Sequence, residues 1–169
     1  MHSNRPILII IFGLPGTGKT TFAILLSKHL GIKHFNTDII RSLSGKSQQY
    51  DEENKGLIYN KMLQLTRLEF EKGKSVIVDA TFYKKKLRKR FKDLAKEYDV
   101  TVKWIEVCAK EDVVKKRISK KRRYSEADYP VYQKIKFQFE PMQEEYIQVF
   151  SDQEETPEMI EKVIKFIKQ

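Results

Sequence analysis

The sequence predicts an α/β fold: a mainly parallel, five-stranded sheet covered by helices on both faces. Short apolar runs alternate with amphipathic stretches from one end of the 169 residues to the other, the pattern of successive βα units. No internal repeat, low-complexity tract or Gly/Ser/Pro-rich linker breaks that alternation. One domain over 1–169 is therefore expected, long enough to bury an ample core without disulfides or structural metal. The third observation is Gly13-Leu14-Pro15-Gly16-Thr17-Gly18-Lys19-Thr20, which spells G-x-x-x-x-G-K-T. It stands directly between an apolar run and an apolar-periodic segment.

In chain order, the unbroken apolar run 7–12 reads as a strand buried on both faces, and the periodic stretch 19–30 as a helix. A second strand falls near 33–36, followed by a short helix opened by Thr37-Asp38. The long stretch 52–71 reads as a helix and 75–79 as an apolar strand ending in an acid. In 83–98, Leu87, Phe91, Leu94, Ala95 and Tyr98 form a helical apolar stripe. Strands at 101–108 and 146–150 and helices at 110–121, 129–140 and 157–167 complete the pattern. Strands separated by helices imply right-handed crossovers, and ligands of such sheets sit at the strands' C-terminal edge. That edge collects the glycine loop, Asp38, Asp79 and the stretch after Cys108.

The glycine loop has a direct physical reading. Gly13, Gly16 and Gly18 let the backbone curl so that several N–H groups point inward, and the helix that follows adds its positive end. Pro15, Thr17 and Thr21 belong to the same phosphate cradle. Lys19 reaches the β- and γ-phosphates of a nucleotide, and the Thr20 hydroxyl is placed to ligate Mg²⁺. Such loops serve GTPases, motors and kinases alike, so the remaining residues must choose. The Asn-Lys-x-Asp motif for guanine is missing, since Asn54-Lys55-Gly56-Leu57 lacks the acid.

Asp38 and Arg41 share a helical face by i,i+3 spacing. In phosphoryl transfer to an alcohol, such a carboxylate orients the hydroxyl and takes its proton while the arginine grips the acceptor. The alternative is an N-cap aspartate beside a solvated surface arginine. Asp79, at the end of Val76-Ile77-Val78, is placed to hold the Mg²⁺ waters or the acceptor, or else caps Thr81 and Phe82 in the following turn.

The formal net charge is +10, from 25 Lys, 8 Arg and 23 acids. Two runs, 84–92 and 115–123, hold fourteen of the thirty-three basic residues. The first reads as the solvated face of its helix, with attraction of a nucleic-acid backbone as the rival account. In the second, Arg117, Lys120, Lys121, Arg122 and Arg123 follow the fourth strand where a lid would close over transferring phosphate. Arg122 and Arg123 are the favoured charge stabilisers. Phe82, Tyr83, Tyr124, Tyr129 and Tyr132 are expected to pack rather than stack on bases.

Cys108, the single cysteine, permits no intrachain disulfide and reads as a small buried residue. His2, His29 and His34 show no ligand spacing with one another or with Cys108. The longest apolar run is far below the ~20 residues of a membrane span, and the N-terminus has no signal-peptide pattern. No membrane partner and a cytoplasmic location are expected.

The chain resembles the P-loop predicted-kinase family that includes the kinase half of polynucleotide kinase and seryl-tRNA kinase. The resemblance covers nearly the whole chain. It rests on the loop 13–20 with Thr21-Phe22-Ala23, on Asp38-x-x-Arg41, on Val78-Asp79-Ala80-Thr81, and on Ser125-Glu126-Ala127-Asp128 with Val131-Tyr132 and Phe139-Glu140-Pro141. It implies a three-layer αβα P-loop NTPase with strand order 2-3-1-4-5 and a helical lid at about 117–130. It also implies ATP–Mg²⁺ as donor, Asp38 as general base and a lid arginine as charge stabiliser. One departure stands out: the family's lid arginine usually recurs four residues after the position of Arg117, where this chain has Lys121. The favoured acceptor is a nucleic-acid or nucleotide hydroxyl, reached through the basic helices 84–92 and 115–123. The rival readings are a small-molecule kinase for a sugar, cofactor or nucleotide sugar, and an ATP-binding switch with slow hydrolysis and no acceptor.

Overall fold

The computed structural model describes residues 5–45, 52–120 and 128–169. Five strands, β1 (Ile7–Phe12), β2 (Lys33–Asn36), β3 (Val76–Asp79), β4 (Thr101–Cys108) and β5 (Tyr146–Phe150), form one sheet. Their order is β2-β3-β1-β4-β5. All four pairings are parallel, so the expectation of a mainly parallel sheet is met in full. The connecting helices are α1 (Lys19–Leu30), α2 (Thr37–Leu43), α3 (Glu52–Phe70), α4 (Lys85–Glu97), α5 (Glu111–Ile118), α6 (Tyr129–Gln138) and α7 (Thr156–Ile167). Among the described residues no helix is long and apolar enough to cross a membrane.

The central strand β1 shows why both faces must be covered. Leu8, Ile10 and Phe12 enter one core with Met62 of α3, Phe91 of α4 and Trp104. Ile9 and Ile11 enter a second core with Phe22 and Leu26 of α1 and Val163 of α7. Side chains alternate across a strand, so six consecutive apolar residues require a helical layer on each side.

The basic helix α4 departs from the sequence expectation at one residue. Arg88 is not on a solvated face: it is 1 % exposed. The apolar stripe buries the helix so deeply that a residue one position from Leu87 goes under with it. Its Nη1 donates to the Phe82 carbonyl at 2.9 Å and its Nη2 to the Glu140 and Pro141 carbonyls at 3.1 and 2.9 Å. Glu144 faces its Nε at 3.7 Å. Phe82 has φ 47, a left-handed turn that a non-glycine residue adopts only when neighbours hold it. Arg88 thus ties the loop after β3 to the segment that follows α6. Arg88→Leu is expected to destabilise the chain by about 3 kcal/mol or more, because three carbonyls lose their donor and Glu144 keeps only Lys92 as a cationic partner. Urea unfolding measures it, and a change below about 0.5 kcal/mol, as at an ordinary surface site, would contradict the role.

Four of the run's other charges find partners within the chain. Lys84, Lys89 and Lys92 lie on Glu140, Asp93 and Glu144 at 3.5, 2.6 and 3.0 Å, and Arg90 donates to Asn60.

Candidate active site

The loop between β1 and α1 turns at glycines that its surroundings also require. Gly13 has φ 138, and a Cβ there would lie 2.6 Å from the Val107 carbonyl oxygen at the end of β4. Gly16 has φ 80, and its Cβ would meet Ile118 of α5 at 2.9 Å. Both the backbone angle and the space demand glycine. Thr17 is buried, its hydroxyl donating to the Leu14 carbonyl at 2.9 Å. The Ser151 hydroxyl, just past β5, donates to the Thr17 carbonyl at 2.6 Å and accepts from Arg117 Nη1 at 2.8 Å. Arg117 also reaches the Ser151 carbonyl at 3.2 Å.

Lys19 opens α1 with its Nζ over the loop, donating to the Leu14 carbonyl at 2.8 Å. One residue on, Thr20 Oγ1 lies 3.2 Å from Asp79 Oδ1. Asp79 is fully buried. Its Oδ2 accepts from Asn36 Nδ2 at 2.7 Å and meets His34 Nε2 at 2.8 Å. The Asn36 amide also lies 3.0 Å from Thr20 Oγ1. Asp79 therefore does not cap the turn after β3; its oxygens face α1 and β2.

The N-cap of α2 is Asn36, whose Oδ1 accepts from Ile39 N at 2.8 Å. Asp38 is thereby released from a capping role. Its Oδ1 accepts from Arg41 Nη1 at 2.6 Å, and Arg41 is buried, not a solvated surface charge. The Asp38 side chain keeps 27 % of its surface open to the cleft. Burial pushes its carboxyl above the ordinary range, and the nearby Arg41 and Lys19 charges partly draw it back.

These groups share one cleft of about 630 Å³. Pro15, Gly16, Gly18, Lys19, Thr20 and Thr21 line it on the loop side, and Asp38, Arg41 and Asp79 on the other. Gly13 and Thr17 stand behind the loop and shape it. Leu25, Thr156 and Met159 also line the cleft, as do Lys55, Tyr59 and Tyr83. Lys55 Nζ lies 3.2 Å from the Tyr83 hydroxyl. Tyr59, Phe82, Phe91 and Trp104 meet edge to face around Phe82, as aromatic packing predicts. Tyr129 and Tyr132 stack on each other at 5.6 Å. Arg122 and Arg123 lie outside the described residues, as does 121–127 of the expected lid. Cys108 is half-buried, and burial pushes its thiol up to about 12, so it is held unreactive.

The donor set fits a magnesium–nucleotide. Positive-φ glycines turn the loop at the N-terminus of α1, and a hydroxyl and a buried carboxylate stand 3.2 Å apart one residue beyond the lysine. Hard oxygen donors beside a phosphate cradle are what Mg²⁺ takes.

Sequence reasoning missed His34, Asn36 and Ser151. Asn36 carried a local signal, a capping side chain before Asp38. His34 lies two residues earlier and so shares a side of β2 with Asn36. Only the β2–β3 register, Asn36 beside Asp79, gives that side a target.

Parallel order, glycine loop and the acid at the end of β3 together define a P-loop protein of the αβα class. The chain belongs to the AAA domain family, whose match spans residues 8–142. No curated protein sequence matches it. Among solved structures, a Chloroflexus aurantiacus j-10-fl protein superposes with a TM-score of 0.78 at 18 % identity, over 97 % of each chain. The Mycobacterium tuberculosis APS kinase CysC, in complex with AMPPNP and APS, gives a TM-score of 0.74 at 14 % identity, over 98 % of this chain and 99 % of that one. Chaetomium thermophilum Kti12, in complex with ADP-AlF3, gives 0.71 at 17 % identity, over 94 % and 97 %.

Proposed function

We propose that the chain is a kinase that moves the γ-phosphoryl group of ATP to a hydroxyl. The observation that carries the reading is the Asp38–Arg41 pair, held at 2.6 Å in the same cleft as Lys19 and Thr20. A cleft carboxylate beside a buried arginine is the arrangement that orients an acceptor hydroxyl in phosphoryl transfer, which favours a kinase over a protein that only binds or slowly hydrolyses nucleotide. The loop amides and Lys19 hold the β- and γ-phosphates. Thr20 and Asp79 would hold Mg²⁺, which supplies neutralising charge on the phosphates when bound. Leu25, Thr156 and Met159 receive the base. Asp38 accepts the acceptor's proton as its oxygen bonds to phosphorus and the bond to the β-phosphate oxygen breaks. Arg41 holds the acceptor. Arg122 and Arg123, in a lid at about 117–130 of this single domain, offset the charge in transfer. The ATP analogue and APS together on the mycobacterial neighbour support a two-substrate cleft in this fold.

For the acceptor, a nucleic-acid or nucleotide hydroxyl accords with the net charge of +10 and with Lys55, Arg117, Lys120 and Lys134 around the cleft. A small-molecule acceptor is the second reading, and a specific observation favours it. Among the described residues, α4 contributes none to the cleft lining, and several of its charges are satisfied within the chain.

The test is transfer of labelled γ-phosphate to 5′-hydroxyl oligonucleotides, tRNA and a small-metabolite extract at low and moderate salt. A polynucleotide acceptor is expected to lose affinity with a log–log salt slope of about −0.7 per contacted phosphate. Label confined to metabolites with little salt dependence supports the second reading. Nucleotide hydrolysis with no label in any fraction would sink the kinase proposal.

A further inference from the structure

We propose that His34 positions the Asp79 carboxylate for the divalent cation, so that a histidine outside every motif sets how tightly this site takes its metal. The inference rests on the assignment of Thr20 and Asp79 to Mg²⁺. Asp79 is held asymmetrically. Its Oδ1 is 3.2 Å from the Thr20 hydroxyl, while Oδ2 meets Asn36 Nδ2 at 2.7 Å and His34 Nε2 at 2.8 Å. An ionised carboxylate only accepts, so His34 is taken as the donor at this contact.

The terminal torsion of an aspartate is broad and lets the carboxylate rotate. Two donors on one oxygen stop that rotation and leave Oδ1 facing Thr20, the side on which the metal would sit. Asn36 is one of those donors, and its amide also lies 3.0 Å from Thr20 Oγ1 while its carbonyl oxygen caps α2 through Ile39 N. A single bond to Oδ2 still leaves the carboxylate free to turn about it, and His34 supplies the second. His34 comes from β2, a strand of the rigid sheet, and its side chain is only 8 % exposed. Water competes poorly for the bond. Partners of this kind typically change metal affinity by about 10- to 100-fold when removed.

The experiment measures Mn²⁺ binding to the full chain with saturating ADP by electron paramagnetic resonance, alongside metal-free binding of a fluorescent ADP. His34→Leu keeps bulk and removes the donor; His34→Gln keeps a donor of similar reach. Expected are unchanged metal-free ADP binding in both variants, Mn²⁺ affinity down by about 10- to 100-fold in His34→Leu, and recovery in His34→Gln. Equal loss in both, or loss in neither, would overturn the proposal. Should His34→Leu fail to fold, the ¹⁵N-labelled wild-type chain decides: the His34 Nε2–H resonance must shift when Mg²⁺ joins the ADP complex, and no shift overturns it. Asp79→Asn separates the two levels of inference. If Asp79→Asn weakens Mn²⁺ binding and His34→Leu does not, the role of His34 fails alone; if the wild-type ADP complex takes no Mn²⁺, the Thr20–Asp79 assignment fails beneath it.

Discussion

Lys19→Ala is expected to reduce phosphoryl transfer by at least about 10²- to 10³-fold, the scale of removing one preorganised group that meets developing charge. The loss should fall mainly on kcat, because the ammonium gains most as charge moves onto the β–γ bridging oxygen, while the loop amides still hold the nucleotide. The fold should survive. Lys19 lines the cleft and packs in neither hydrophobic core, so truncation removes no core side chain. Turnover near the wild-type value in a folded Lys19→Ala chain would refute the assignment of this cleft.

Asp38→Asn is expected to lower acceptor phosphorylation by about 10²- to 10⁴-fold, the usual contribution of a general base, while nucleotide binding stays near the wild-type level. The pH dependence follows from its surroundings. Burial raises the Asp38 pKa above 3.8, against the opposing pull of Arg41 and Lys19. The base works ionised, so kcat/KM should fall as pH drops through a midpoint above 3.8. The same shift has the opposite sign in stability from a normal salt-bridged aspartate. The folded state binds the proton more tightly than the unfolded chain, so the contribution of Asp38 is full below 3.8 and declines as pH rises through the folded-state value. A pH–rate profile of wild type against Asp38→Asn checks this. Survival of both the acid limb and the rate in the variant would remove Asp38 from the chemistry.

The fold was largely legible because its signals are local. The run 7–12 declares a strand buried on both faces, and the periodic segments after each strand declare helices, so among the described residues the five strands and seven helices lie within a few residues of their expected places. Where boundaries moved, as in β3 starting at Val76 or α4 at Lys85, the end residues were carried by loop contacts that periodicity does not encode. The order β2-β3-β1-β4-β5 came from the family resemblance, since strand order is set by which hydrophobic faces meet.

The candidate site divides along the same line. Residues 13–21 form a contiguous motif whose geometry follows from glycine and the start of a helix, so the sequence by itself determined the glycine loop and the places of Lys19 and Thr20 at the head of α1. Asp38 and Arg41 could be paired by helical spacing, but capping by Asn36 and burial of Arg41 decided that the pair faces the cleft. Arg88 looked like one more solvated charge until packing of α4 put it under the loop after β3. His34 and Asn36 became partners of Asp79 only through the register of β2 against β3. A short motif encodes its own backbone path. Which buried polar group receives which hydrogen bond depends on strands and helices far apart in the chain, and tertiary structure alone settled that.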